Sequence, residues 1–406
     1  MDSLINAAGR ALSVGDPLAA LKRVALRDDA PALALRGVAM AQLGDLPRAR
    51  DLLRRAARAF GKNEQISRAR CTVAEAEIAF VSRDLGQSLR TLGPAQATLD
   101  RLGDRVNAAH ASYLDARQNL LIGRADVAER MIADLDADAL PPASRVGFEL
   151  VAVGIAIRRV RASDAQAALV RAENYARQAA IPALSNEVDR AMRAFAAPAA
   201  RRISNGDERL LGLADVEALL TTDTLIVDAC RNIISRGGTS VSLATRPVLL
   251  ALVRALAEAW PEDASRETLL ERAFRARHAD ESHRARLRVE MARLRKEIAS
   301  LADVVATKRG FLLTPRGTEA VAVLAPPAEN DHAEVLALLA DGEAWSSSAL
   351  ALALGVSSRT VLRALESLAL TGRVESFGRG RACRWIAPKV PGFPTSLLLP
   401  VSTIAG

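Results

Sequence analysis

Aromatic residues are scarce in this chain: Phe, Trp and Tyr make up 3% of 406 residues. Ala and Leu dominate instead, which favours helices, since both are among the best helix formers. Cysteine is nearly missing too. Cys71, Cys230 and Cys383 are scattered, and no pair has metal-ligand spacing. An odd count argues against a disulfide framework, so a reducing compartment is expected. No apolar run reaches the roughly 18 residues of a membrane span. The start, MDSLINAAGRALSVGDPLAA, lacks a charged segment followed by an apolar one, so no secretion signal is expected and the location reads as cytoplasmic. The four histidines, His110, His278, His283 and His332, are dispersed. His278 and His283 bracket a loop and a helix start without suitably spaced acids, so they read as phosphate contacts or solvated rings rather than metal ligands. Phosphate-loop, dinucleotide and nucleophile-elbow motifs are absent, and the serine clusters read as helix caps. No enzyme, cofactor or metal is expected.

What is present is length, hydrophobicity and positive charge. The length implies several domains. Half the residues are hydrophobic, and 55 Lys and Arg against 47 Asp and Glu give a net charge of +8. The excess is mostly Arg, whose guanidinium forks onto phosphates and base edges. The bland alternative is that this charge only keeps the protein soluble.

The most informative stretch is SHRARLRVEMARLRKEIASLADVVATKRGFLLTP, Ser282 to Pro315. Leu287, Met291, Leu294 and Ile298 follow the spacing of one helical face. Arg286, Arg293 and Lys296 then point away from that seam, with Arg284 and Arg288 flanking it. Two short apolar strands follow, interrupted at Lys308-Arg309-Gly310. These Arg and Lys residues form a candidate DNA-binding surface. The alternative is that they are solvated, or paired with Glu267, Glu271 and Glu297.

Residues 1 to about 200 read as successive helices joined by turns at Gly15-Asp16, Gly44-Asp45, Arg83-Asp84, Gly123-Arg124 and Ala162-Ser163. After the first interval the spacing is roughly 39 residues, in the range of helical-hairpin repeats. In LALRGVAMAQLGDLPRARDLLRRAARAF, Leu33 to Phe60, small residues stand where two helices approach. This unit resembles a tetratricopeptide repeat. One such hairpin cannot bury its apolar face, so stacking into a solenoid with a concave face is expected. That face would hold a protein or small-molecule effector, or serve as a dimerising scaffold. His110 and Tyr113 read as a satisfied, half-buried pair. Arg158, Arg159 and Arg161 read as a solvated face.

Pro198 and Asn205-Gly206 read as a linker, with a helix from Asp207 to Leu220. Short strands follow at Leu225–Asp228, Asn232–Ser235 and Ser240–Leu243, then helices at Arg246–Ala259 and after Ser265. TLIVDACRNIISRGGTSVSLATRPVLLALVRALAEAWPEDASRETLLERAF, SHRARLRVEMARLRKEI and VVATKRGFLLTP, in that order, resemble the OmpR/PhoB-type winged-helix effector domain. The resemblance covers Thr224 to Pro315. It implies a recognition helix, Ser282–Ala299, in the major groove and a wing, Ala306–Thr314, at the adjacent minor groove. The chain departs from the family in having repeats where a phospho-receiver domain would stand, so Asp phosphorylation is not the expected switch.

After Ala325-Pro326-Pro327-Ala328, SSSALALALGVSSRTVLRALESLALTGRV has a helix-turn-helix pattern and resembles winged-helix regulators of the MarR, GntR and DeoR type. Val361, Leu362, Leu365 and Leu368 form its core stripe. Ser357, Ser358, Arg359, Thr360 and Arg363 lie near the exposed start of the second helix, and a basic tip, Gly378-Arg379-Gly380-Arg381, suits a narrow minor groove.

The expected fold class is mainly α: a tetratricopeptide-like α-solenoid (1–200), a linker and helix (201–222), a winged helix (223–318), a linker (319–331), a second winged helix (332–388) and a tail (389–406). The expected function is a DNA-binding transcription regulator, a homodimer on double-stranded DNA with no membrane partner. The alternative is a repeat-based adaptor whose winged helices serve dimerisation or docking.

Overall fold

A computed structural model describes residues 2–82, 84–274, 281–327, 332–339, 344–378, 380 and 383–386. Among these residues the chain is mainly α, with small sheets. It divides into two compact units. The first comprises residues 1–159, 164–193 and 331–406, and the second residues 160–163 and 194–330.

The first unit begins with paired helices: α1 (Ser3–Ser13) with α2 (Pro17–Val24), α3 (Ala30–Gln42) with α4 (Leu46–Ala59), α5 (Gln65–Val81) with α6 (Leu85–Arg101), and α7 (Arg105–Leu121) with α8 (Ala125–Ala133). Then come α9 (Pro142–Arg158), α10 (Ala162–Ala179) and α11 (Pro182–Ala196). The α3–α4 turn explains itself locally. Gly44 takes φ 86°, which suits glycine, and the Asp45 side chain accepts from the Arg48 amide at 3.2 Å, satisfying an orphan donor. Gly37 lets the two helices touch, because a Cβ there would lie 2.8 Å from Leu53 Cγ. The expected turn at Ala162-Ser163 falls earlier. Ala162 already opens α10, and the reversal is made at Val160, with φ 55°. Arg83 lies outside the described residues.

The second unit contains β1 (Ala200–Ser204), β2 (Asp207–Leu211), α12 (Leu213–Leu220), β3 (Leu225–Asp228), β4 (Ile233–Arg236) and β5 (Thr239–Ser242). It continues with α13 (Pro247–Ala259), β6 (Ala264–Ser265), α14 (Arg266–Phe274), α15 (Glu281–Ile298), β7 (Ala302–Ala306), β8 (Gly310–Pro315) and β9 (Val321–Ala325). One sheet has the order β2-β1-β9-β3-β4-β5, and a smaller one has the order β6-β8-β7. Three expectations are corrected. Residues 200–211 are a hairpin, not a linker: Asn205 and Gly206 take φ 52° and 81°, the tight-turn signature of an antiparallel pair. The helix expected from Asp207 starts only at Leu213, where Asp215 accepts from the Gly212 amide at 3.0 Å. The linker expected at 319–331 contains β9, a fully buried strand between β1 and β3, antiparallel to the first and parallel to the second. Five apolar residues in the middle of a sheet leave no room for a joint there.

Helix α15 buries Leu287, Met291, Leu294 and Ile298 in a core with Leu252 and Leu256 of α13, Leu269 of α14 and Leu313 of β8. The whole expected seam faces inward. β6 pairs antiparallel with β8 so closely that a Cβ on Gly310 would fall 1.8 Å from the Ala264 carbonyl oxygen.

The chain then returns to the first unit with α16 (Ala333–Leu339), α17 (Ser347–Leu354), α18 (Ser358–Leu370), β10 (Glu375–Phe377) and β11 (Arg384–Ile386). Ser346 and Ser357 cap α17 and α18, accepting from the Ala349 and Thr360 amides at 3.1 and 3.2 Å. Gly355, at φ 66°, ends α17, and the two helices meet at a bend of 113°. Leu350, Leu365, Trp345 and Trp385 do not form a separate core. They belong to one buried cluster with Leu12, Leu33, Leu53, Ile78 and Ile122 of the helical pairs. A module of this size is close to where independent cores become marginal, and this one completes its interior on the earlier helices. Leu362, expected in the core stripe, is 38% exposed. Residues 389–406 lie outside the described residues.

Candidate nucleic-acid interface

With its seam buried, α15 turns a cationic surface outward. Arg284, Arg286, Arg288, Arg293 and Lys296 are all exposed. Neighbours engage these guanidiniums, and Arg284 lies near enough to Glu267 to add to the lowering of its carboxyl pKa, which its own amide and Ser265 cause first. Arg286 stacks over the Phe274 ring, 4.6 Å from its centre, and Arg293 contacts Glu290 at 2.9 Å. Glu297 pairs with Arg246 at the start of α13, not with a cation of α15. Between the start of α13 and α15 lies a cleft of about 460 Å³, lined by Arg246, Glu290, Arg293 and Lys296 among others.

Arg295 behaves differently from its neighbours. Its Nε donates to the Val304 carbonyl at 2.6 Å, and its guanidinium lies over Phe311. It braces the hairpin instead of extending the outward row. At the hairpin tip Lys308 and Arg309 are exposed, with Arg309 3.8 Å from Asp263.

On α18, Ser358, Arg359, Thr360 and Arg363 are exposed along the first half of the helix. Ser357 is committed to its cap and also lies 2.8 Å from the Thr360 hydroxyl. Arg379 and Arg381 lie outside the described residues. The exposed Phe377 on β10 stands across from Arg384 on β11.

The helical pairs contain a buried polar chain whose partners sequence reading misses. His110 is fully buried, not half-buried; its Nε2 is 3.1 Å from Glu77 and its Nδ1 is 3.4 Å from the Ser144 hydroxyl. Its ring meets Tyr113 edge-on. Burial pushes the Tyr113 phenol up to about 12. Arg117 lies over Phe80 and pairs with Glu187; burial opposes its charge, but Glu187 holds its pKa above the usual arginine value. These partners stand 33 to 70 residues apart, beyond any local pattern. Of the Arg158, Arg159 and Arg161 group, Arg159 pairs with Asp126 and Glu129.

His283 packs against Phe274, with ring centres 6.4 Å apart; His278 lies outside the described residues. No group of three or more potential metal ligands occurs among the described residues. No single described helix is long and apolar enough to cross a membrane. The three cysteines are free thiols. No protein-family model, curated protein or solved structure matches the chain.

Proposed function

We propose that the chain is a sequence-specific DNA-binding transcription regulator. In this reading β3 to β8 act as an OmpR/PhoB-type winged helix, with α15 in the major groove and the β7–β8 hairpin as the wing. The observation that carries the proposal is the division of α15: four apolar residues buried on one side and six exposed cations on the rest, of which Arg295 is tied to the hairpin, beside a tip carrying Lys308 and Arg309.

The mechanism follows from charge and pre-ordering. Stacking on Phe274 restricts Arg286, so less freedom is lost when its guanidinium meets a guanine edge or phosphate. The Arg293–Glu290 pair is solvent-exposed on the arginine side, and such pairs contribute only about 0–1 kcal/mol. A polyanion can therefore displace it. Helix α18 supplies a second contact through Ser358, Arg359, Thr360 and Arg363, in the manner of MarR-, GntR- or DeoR-type regulators; its bend of 113° with α17 fits a helix-turn-helix. The helical pairs act as tetratricopeptide-like repeats that hold an effector or a second copy. Dimerisation would multiply affinity by raising the effective concentration of each reading helix.

The test is a genome-wide selection of DNA fragments by the purified protein, followed by affinity measurements across salt concentrations. An enriched motif is expected, with a log–log salt slope of about −5 to −7 for six to eight phosphate contacts. Recovery of no motif and a flat salt response would contradict the proposal.

A second reading is favoured by one observation. The α16–α18 module shares its buried core with the helical pairs, as a docking element would. In that reading the chain is an adaptor gripping a protein partner, and α18 carries no DNA.

A further inference from the structure

We propose that Arg266 is the positioning residue of the wing: it presents Lys308 and Arg309 to DNA while making no DNA contact itself. This inference rests on the winged-helix reading and concerns how its hairpin is held. Arg266 is half-buried at the first position of α14. Its two terminal nitrogens donate to the carbonyls of Lys308 and Thr307 at 2.8 and 3.0 Å. Its own amide donates to the Arg309 carbonyl at 3.4 Å. One residue thus takes three consecutive carbonyls of the tip.

Neighbouring groups complete the clamp. The Thr307 hydroxyl donates to Asp263 and accepts from the Gly310 amide at 2.8 Å. The guanidiniums of Arg266 and Arg295 each lie 5.7 Å from the centre of the Phe311 ring. With the carbonyls drawn inward, the side chains of Lys308 and Arg309 remain exposed. A planar guanidinium spans two carbonyls at once, which a single ammonium does not do as well. Each terminal nitrogen of Arg266 gives a donor to the tip, and the half-buried guanidinium lies against Phe311, an arrangement that suits holding the tip rather than reaching out to a phosphate.

The experiment is a double-mutant cycle on the full chain, probed with a duplex carrying the sequence enriched by the selection above. Lys308→Ala with Arg309→Ala should weaken binding about fivefold and flatten the salt slope by up to about 2, as two lost phosphate contacts would. Arg266→Gln should weaken binding to a similar extent and speed amide exchange at Thr307 and Gly310. Adding Lys308→Ala and Arg309→Ala to Arg266→Gln should change affinity less than about twofold, because contacting residues couple. Arg266→Lys keeps the charge and should fall between Arg266→Gln and the native chain.

If the tip variants weaken binding but Arg266→Gln does not, or if the two effects multiply, the positioning role is overturned and the winged-helix reading stands. If the tip variants bind at native strength, the wing does not touch DNA and the inference falls with that part of the reading. Thermal melting separates these outcomes from misfolding: should Arg266→Gln fail to fold, the Arg266→Lys cycle decides by the same coupling.

Discussion

Helices α15 and α18 carry similar local patterns, an apolar stripe with arginines outside it, yet they stand on different foundations. Helix α15 closes a core made entirely of its own unit, from α13, α14, the β6-β8-β7 sheet and one face of the larger sheet. Helix α18 completes its core with residues of the paired helices that begin the chain. A self-contained core tolerates damage elsewhere in the protein, whereas a shared core ties α18 to the paired helices it packs on. Stability measurements are therefore the strongest way to break the comparison.

The largest effects are expected from core truncations. Met291→Ala empties a site with no solvent exposure and should cost about 2–5 kcal/mol. Hydrogen exchange should then quicken in α13, β7 and β8 while α17 and α18 keep their protection. Leu365→Ala should cost a similar amount, about 2–5 kcal/mol, but quicken exchange in α3 to α5 as well as in α17 and α18. Unchanged protection in α3 to α5 would remove the shared core from the account.

Next in size is Asp228→Ala. This buried carboxylate accepts from the Cys230 and Arg231 amides at 2.9 and 3.0 Å and from Arg231 Nε at 2.7 Å. Its loss strands several donors and should cost about 2–3 kcal/mol, read as a lower melting temperature confined to the second unit.

Smaller effects sharpen the contrast between the heads. Arg359→Ala with Arg363→Ala should weaken binding to the selected DNA about threefold to tenfold without lowering stability, since each lost phosphate contact is modest. Native affinity in this variant would favour the docking role for α18. Smallest is Glu290→Gln, which releases Arg293 and removes a negative charge from the proposed DNA-binding face. Binding should tighten about threefold at low salt, with the gain fading as salt screens the surface.

The two heads also differ in how readily sequence reveals them. The seam of α15 is legible because Leu287, Met291, Leu294 and Ile298 repeat at helical spacing, and burial follows spacing when one face meets a core. The seam of α18 is legible for the same reason, apart from Leu362, but not the surface that covers it. Its neighbours in the buried cluster, such as Leu12 and Leu53, lie hundreds of residues earlier. Strand β1 is hidden by its two arginines and by a partner, β9, more than a hundred residues away. Asn205-Gly206 carried the signal for its hairpin, since that dipeptide favours a two-residue reversal over a linker. The outward cations of α15 were likewise legible as a group, while the diversion of Arg295 to Val304 depends on where β7 lies in space. His110 shows the same limit: its helix was evident, but Glu77 and Ser144 meet it only through packing.

The most direct measurement is the affinity of the Arg286→Ala, Arg293→Ala double variant for the selected DNA, compared with native protein at the same salt. Each bidentate base contact supplies about 1–3 kcal/mol of discrimination, so specific binding should fall at least about tenfold while the melting temperature holds. A double variant that binds the selected sequence as tightly as the native chain would contradict the assignment of α15 to DNA.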